Sequence, residues 1–148
     1  MENAQIFSFA SSTALVGWVI LLLSPFFPRV TEWLSGRIIP VVLSVGYTAL
    51  VMVFWTSADG GFGSLDDVMT LFQQPEIALA GWIHYLAFDL FIGAWECRTA
   101  RAEKIPFWLV LPCLPLTFMF GPVGLLLFVT FRAINRVRFN PDEGATAI

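Results

Sequence analysis

Hydrophobic residues in this chain fall into long runs, and the charged residues collect between them, which is the pattern of membrane spans. The first run covers about Ala10 to Phe27 and is closed by Pro25 and Pro28. A short linker with Arg29, Glu32, Trp33 and Arg37 leads to the second run, about Ile38 to Trp55. Pro40 lies early in that run, where proline is tolerated. Its small residues Ser44, Gly46 and Ala49 allow close helix approach. The third run covers about Glu76 to Trp95 and is followed by a charged linker, Glu96 to Lys104. The last run, Ile105 to Phe131, holds Pro106, Pro112, Pro115, the break Gly121-Pro122 and then Gly124, so it cannot be one straight helix. Proline is favoured at the first position of a helix. The pattern therefore predicts one helix ending near Phe120 and another starting at Pro122.

The longest polar stretch, Thr56 to Glu76, opens with the flexible turn Asp59-Gly60-Gly61-Phe62-Gly63. Ser64 and Asp67 then fit a capping box loosely, an acid replacing the usual Glu or Gln. Leu65, Val68, Met69, Leu71 and Phe72 predict a short amphipathic helix on a membrane surface. The whole reads as all-α: a polytopic transmembrane helix bundle of four spans, the last one broken. Residues 1–139 form a single domain, and 140–148 are expected to be a disordered tail.

Charge placement gives the orientation. Arg29 and Arg37 lie in the first linker, and Arg98, Arg101 and Lys104 in the third. The second linker carries only Asp59, Asp66, Asp67 and Glu76. The first and third linkers should face the cytoplasm. Arg132, Arg136 and Arg138 complicate this, because four spans put them on the far side. A hairpin at Gly121-Pro122, as a fifth crossing or a re-entrant pair, would return them. A turn that short is tight for a helical hairpin, so the pattern favours four spans with a broken last segment.

Composition supports the membrane reading. Of 148 residues, 57% are hydrophobic and 13% charged, against about 25% charged in an average soluble domain. A net charge of −3 and the lack of a basic stretch exclude nucleic acid as a partner. Cys97 and Cys113 are far apart and form no CxxC motif, so a disulfide or a zinc ribbon is not expected. Met1 to Ala10 carries no Lys or Arg, so the first run reads as a retained span rather than a cleaved signal.

The third run carries the candidate chemistry. Asp89 falls near its middle, where a carboxylate costs about 2.5–3.5 kcal/mol on insertion scales. Tyr85, Asp89 and Glu96 share one helix face. His84, the only histidine, lies about 140° from Asp89 around the helix. The two would act as proton donor and acceptor from adjoining walls of a cleft, not as one hydrogen-bonded dyad. Trp82, Tyr85, Phe88 and Phe91 would line that cleft for a long apolar ligand. Ordinary helix packing is the alternative, with Asp89 paired to Arg98, Arg101 or a facing hydroxyl. One histidine and an HxxxxD spacing give no metal site, and no cofactor motif is present. Trp33, Trp55, Trp95 and Trp108 fall near span ends, as an aromatic belt would place them.

The string from Gly81 to Gly93 resembles the WxHxxxxDLFxG signature of the abscisic-acid-deficient-4-like family, to which plant neoxanthin synthase belongs. Arg101, Ile105-Pro106 and the string Pro115 to Leu127 resemble that family's second signature, TFxxGPxGLLL. The resemblance implies an integral, multi-pass membrane protein of carotenoid metabolism that uses no cofactor. It also implies a redox-neutral isomerisation in which an epoxide opens while a proton leaves the polyene. By motif, His84 and Asp89 become the catalytic pair, with Trp82 and Phe91 flanking. The absence of a transit peptide fits a bacterial inner membrane and a substrate that is a carotenoid or related isoprenoid. A homo-oligomer is compatible with this. The competing expectation is a non-catalytic membrane binding or assembly protein with Asp89 as an interhelical polar contact. A proton path is a third reading, for which one ionisable group mid-span is thin support.

Overall fold

The computed structural model describes residues 2–139, so the tail 140–148 lies outside the described residues. Among these residues the chain is helical, with no strand. Helix α1 spans Asn3–Leu22, α2 Pro28–Trp33, α3 Ile39–Phe54, α4 Leu65–Phe72, α5 Pro75–Ala102, α6 Phe107–Val110, α7 Cys113–Phe120 and α8 Pro122–Phe139. Three helical stretches are long and apolar enough to cross a membrane: α1 at 20 residues, the continuous Pro28–Ser57 at 30, and α5 at 28.

These helices overrun the apolar runs because a charge ends a run but need not end a helix. Glu32, Arg37, Glu96 and Arg98 all lie inside helices. In the second stretch, α2 passes into α3 through a wide π turn, Leu34–Ile38. The reason is Pro40, which lacks an N–H and crowds the carbonyl four residues back, at Gly36. A wider turn there makes room without ending the helix.

Helix α5 is the centre of the bundle. Half of its apolar window is buried, against 28% for α1 and 17% for the second stretch. Helix α1 runs parallel to it, in a register fixed by three hydrogen bonds. Asn3 Nδ2 donates to Glu76 Oε1 at 2.9 Å, Trp82 Nε1 to Ser11 Oγ at 3.0 Å, and Arg101 to the Ser24 carbonyl at 3.2 Å. The α2–α3 stretch runs antiparallel, with Glu32 of α2 on Arg98 at 3.1 Å and Tyr47 of α3 against His84. The buried hydroxyls of Ser35 and Thr31 donate to the α1 carbonyls of Gly17 and Ile20, at 2.8 and 3.3 Å. Gly93 admits the Trp18 ring, since a Cβ there would lie 2.8 Å from it.

The short polar helix forms as expected. Ser64 Oγ accepts from the Asp67 N–H at 3.1 Å, capping α4. Leu71 faces inward, while Leu65, Met69 and Phe72 are exposed. The two cysteines are separate free thiols, both buried.

In place of a fourth long span there is a hairpin. The expected helix boundaries hold, with α7 ending at Phe120 and α8 starting at Pro122. Between them Gly121 takes φ +41, and the chain reverses. Gly124 then lies so close to Thr117 that a Cβ would run into its backbone. A turn this short is feasible because both positions are glycine. The stretch Phe107–Phe120 is only about 21 Å long at 1.5 Å per residue, short of an apolar core of about 30 Å. The return helix brings Arg132 and Arg136 onto Glu103, just past the end of α5. Arg132 Nε reaches both Glu103 oxygens at 2.9 Å, and Arg136 Nη2 reaches one at 2.7 Å. Both arginines therefore share the end of the bundle that holds Arg98 and Arg101. The Glu96–Lys104 segment, read as a linker, is helical through Ala102. It closes with the amides of Lys104 and Ile105 bonded back to Arg101 and Ala100, a Schellman turn with Lys104 at φ 56.

Gly124→Ala should undo the hairpin, lowering stability by about 1–3 kcal/mol as overpacking does. Gly46→Ala, with open space around it, should be neutral or stabilising; thermal unfolding in detergent compares them. Salt bridges from Arg132 and Arg136 hold the Glu103 carboxyl at about 2, below its ordinary 4.5. Its stabilising contribution is therefore complete above pH 4.5 and lost as pH falls toward about 2. Glu103→Gln should cost stability at neutral pH, and the difference from wild type should shrink over that acid range in the same melts.

Candidate functional site

One stripe of α5, continued onto the residue that ends it, carries a carboxylate at every seventh position: Asp89, Glu96 and Glu103. Seven residues are nearly two turns, so the three stay on one face with a drift of about 20° per step. All three face the hairpin. Asp89 meets its tip, where a Cβ at Gly121 would lie 2.8 Å from Asp89 Oδ1. Glu96 meets α7, accepting from Thr117 Oγ1 at 2.9 Å. Glu103 meets α8 through Arg132 and Arg136.

Asp89 is half-buried, and its Oδ2 has no hydrogen-bond partner among the described residues. The arginines expected as structural partners are engaged elsewhere, Arg98 on Glu32 and Arg101 on the Ser24 carbonyl. Tyr85, one turn away, donates its hydroxyl to the Phe118 carbonyl at 2.7 Å. That carbonyl belongs to the last turn of α7, which Gly121 leaves without onward helical partners. Glu96 is fully buried at 0% exposure, and its Oε2 is also unpartnered.

His84 occupies a different wall. It is exposed, stacks on Phe88 with centroids 4.5 Å apart, and tilts against Tyr47 of α3 at 5.4 Å. The four expected ligand-lining aromatics divide in the same way. Trp82 and Tyr85 stack on each other, and Trp82 on Phe7 of α1, each pair at 5.5 Å. Phe88 and Phe91 lie on the His84 stripe and are exposed. Trp82 also lines an open apolar groove of about 340 Å³ with Asn3, Phe7, Pro75 and Leu79, where α1 and α5 begin.

The site residues read from sequence omit Glu96 and Thr117. The seven-residue spacing from Asp89 placed Glu96 on the right face, but its position among Cys97, Arg98 and Arg101 marked it as linker. Thr117 had only its place in the second motif as a signal. Among the described residues no three His, Cys, Asp or Glu side chains converge to hold a metal.

The two motifs meet in space. Leu90 of the first fills the gap left by Gly17, Gly93 receives Trp18, and Asp89 faces Gly121 of the second. No curated protein and no solved structure matches the chain. The family model described as ABA DEFICIENT 4-like matches residues 5–128, taking in both motifs and nearly all of the three candidate spans. The chain belongs to the ABA DEFICIENT 4-like family.

Proposed function

We propose that this is a multi-pass membrane protein, neoxanthin synthase-like, that acts on a carotenoid or related isoprenoid lipid by acid–base isomerisation with no net redox change. Family membership and three apolar helices of membrane-crossing length support the class of protein. The observation that carries the chemistry is the Asp89 carboxyl. It lies midway along an apolar helix against a helix break, with one oxygen unpartnered among the described residues and Arg98 and Arg101 engaged elsewhere.

In this reading Asp89 exchanges a proton with the substrate at the hairpin tip. Moving a proton off a polyene carbon while an epoxide oxygen gains one needs a base and an acid, but no electron carrier. His84 is the second proton-transfer group, on the wall shared with Tyr47. A long polyene laid across α5 would touch both walls, with Trp82, Tyr85, Phe88 and Phe91 as its apolar contacts. The hairpin is a re-entrant segment that enters and leaves on one side. All the basic linkers then face the cytoplasm, together with Arg132 and Arg136, as the excess of Lys and Arg there requires.

Expression in a carotenoid-making host, followed by pigment extraction and chromatography, tests the reading. The wild-type chain should convert host pigment. Asp89→Asn should abolish conversion and His84→Ala should lower it, with both variants still inserted in the membrane fraction. Full conversion by both variants overturns the assignment. An unchanged profile with the wild type, together with a stably co-purifying protein, supports a binding or assembly role instead.

A further inference from the structure

The hairpin covers Asp89 from one side, and the proton that Asp89 exchanges must reach it through the bundle. Two nearby routes are closed by commitments already described. The Tyr85 hydroxyl is given to the Phe118 carbonyl at 2.7 Å. The His84 ring is stacked between Phe88 and Tyr47 on another face.

The third direction runs down the carboxylate stripe. Glu96 lies about 10 Å along α5 from Asp89 at 1.5 Å per residue. Burying a carboxyl at 0% exposure is costly unless both oxygens are satisfied. Glu96 has one oxygen on Thr117 and the other on nothing. Between the two acids on this face of α5 lie Ile92 and Gly93, and Gly93 receives the Trp18 ring from α1. The Trp18 ring that packs on Gly93 carries another buried unpartnered polar atom, Nε1. Buried polar atoms left unpartnered call for an explanation, and among the described residues two of them are carboxylate oxygens on one face of α5. Two turns further on, Glu103 opens to the arginine-rich end, its side chain 22% exposed.

We propose that Glu96 is a proton relay, passing protons between Asp89 and the arginine-rich end of the bundle, with Glu103 at the mouth. This rests on the reading of Asp89 as a proton-transfer group and gives that group its supply. Each transfer breaks one O–H bond and forms another, so the relay returns unchanged.

Hydrogen–deuterium exchange of the protonated Asp89 carboxyl, followed by infrared spectroscopy on the full chain in phosphatidylcholine vesicles, tests the relay without needing a substrate. The pH is set low enough to protonate Asp89, whose band is assigned by its loss in Asp89→Asn. Glu96→Gln keeps the size of the side chain and an acceptor for Thr117, but removes the exchangeable acid. It should slow exchange at Asp89 several-fold, and Glu96→Asp should restore it toward wild type. Wild-type exchange in Glu96→Gln, or exchange as slow in Glu96→Asp as in Glu96→Gln, overturns the relay. Full pigment conversion by Asp89→Asn would instead sink the isomerase reading and leave the exchange result standing.

Discussion

A helix that stops leaves its last carbonyls without helical partners, and much of this fold is organised around covering one such stop. The α7–α8 break at Gly121 exposes the last carbonyls of α7. Tyr85 caps one of them, and Asp89 lies against the turn itself. Both come from α5, so α5 must be central and must present a polar stripe to the hairpin. The apolar remainder of α5 is then free for α1 and α3. Gly17 lets α1 close in on Leu90, where a Cβ would collide, and Gly36 in the π turn before α3 lies beside Ala94.

The same stripe explains how the hairpin is held at three levels. At the tip the contact is a carboxylate beside a glycine. Midway it is one buried hydrogen bond, Thr117 to Glu96. At the open end it is Glu103 with Arg132 and Arg136. Polar density therefore increases toward the aqueous end, where ion pairs are readily hydrated, and thins toward the tip. The two unpartnered carboxylate oxygens, on Asp89 and Glu96, lie away from the ion-paired end.

The division of α5 into two walls also bears on the substrate. His84 with its aromatic neighbours faces outward beside α3, whereas Asp89 faces the hairpin. Small substrates could not bridge such a pair. On the proposed reading, a rod-shaped apolar molecule lying across the helix would touch both walls.

Much of this was legible in the chain alone. Apolar runs of near-membrane length, interrupted by charge, determined an all-α membrane bundle, because lipid tolerates few other solutions. Gly121-Pro122 determined where the last segment breaks, since proline starts a helix and glycine allows a positive φ. The helix lengths were less legible: Glu96 to Ala102 reads as a linker by polarity, but partners such as Thr117 and Glu32 let the helix run through it. Only the tertiary structure decided that the last segment turns back on itself. That outcome depends on Gly124 meeting the Thr117 backbone and on Glu103 meeting two arginines, contacts between residues that no local pattern pairs. The same long-range packing decided that Glu96 is buried and that His84 and Asp89 serve different walls. Helical periodicity sets the angle between two side chains, but which neighbour fills each angle is settled by how the helices pack.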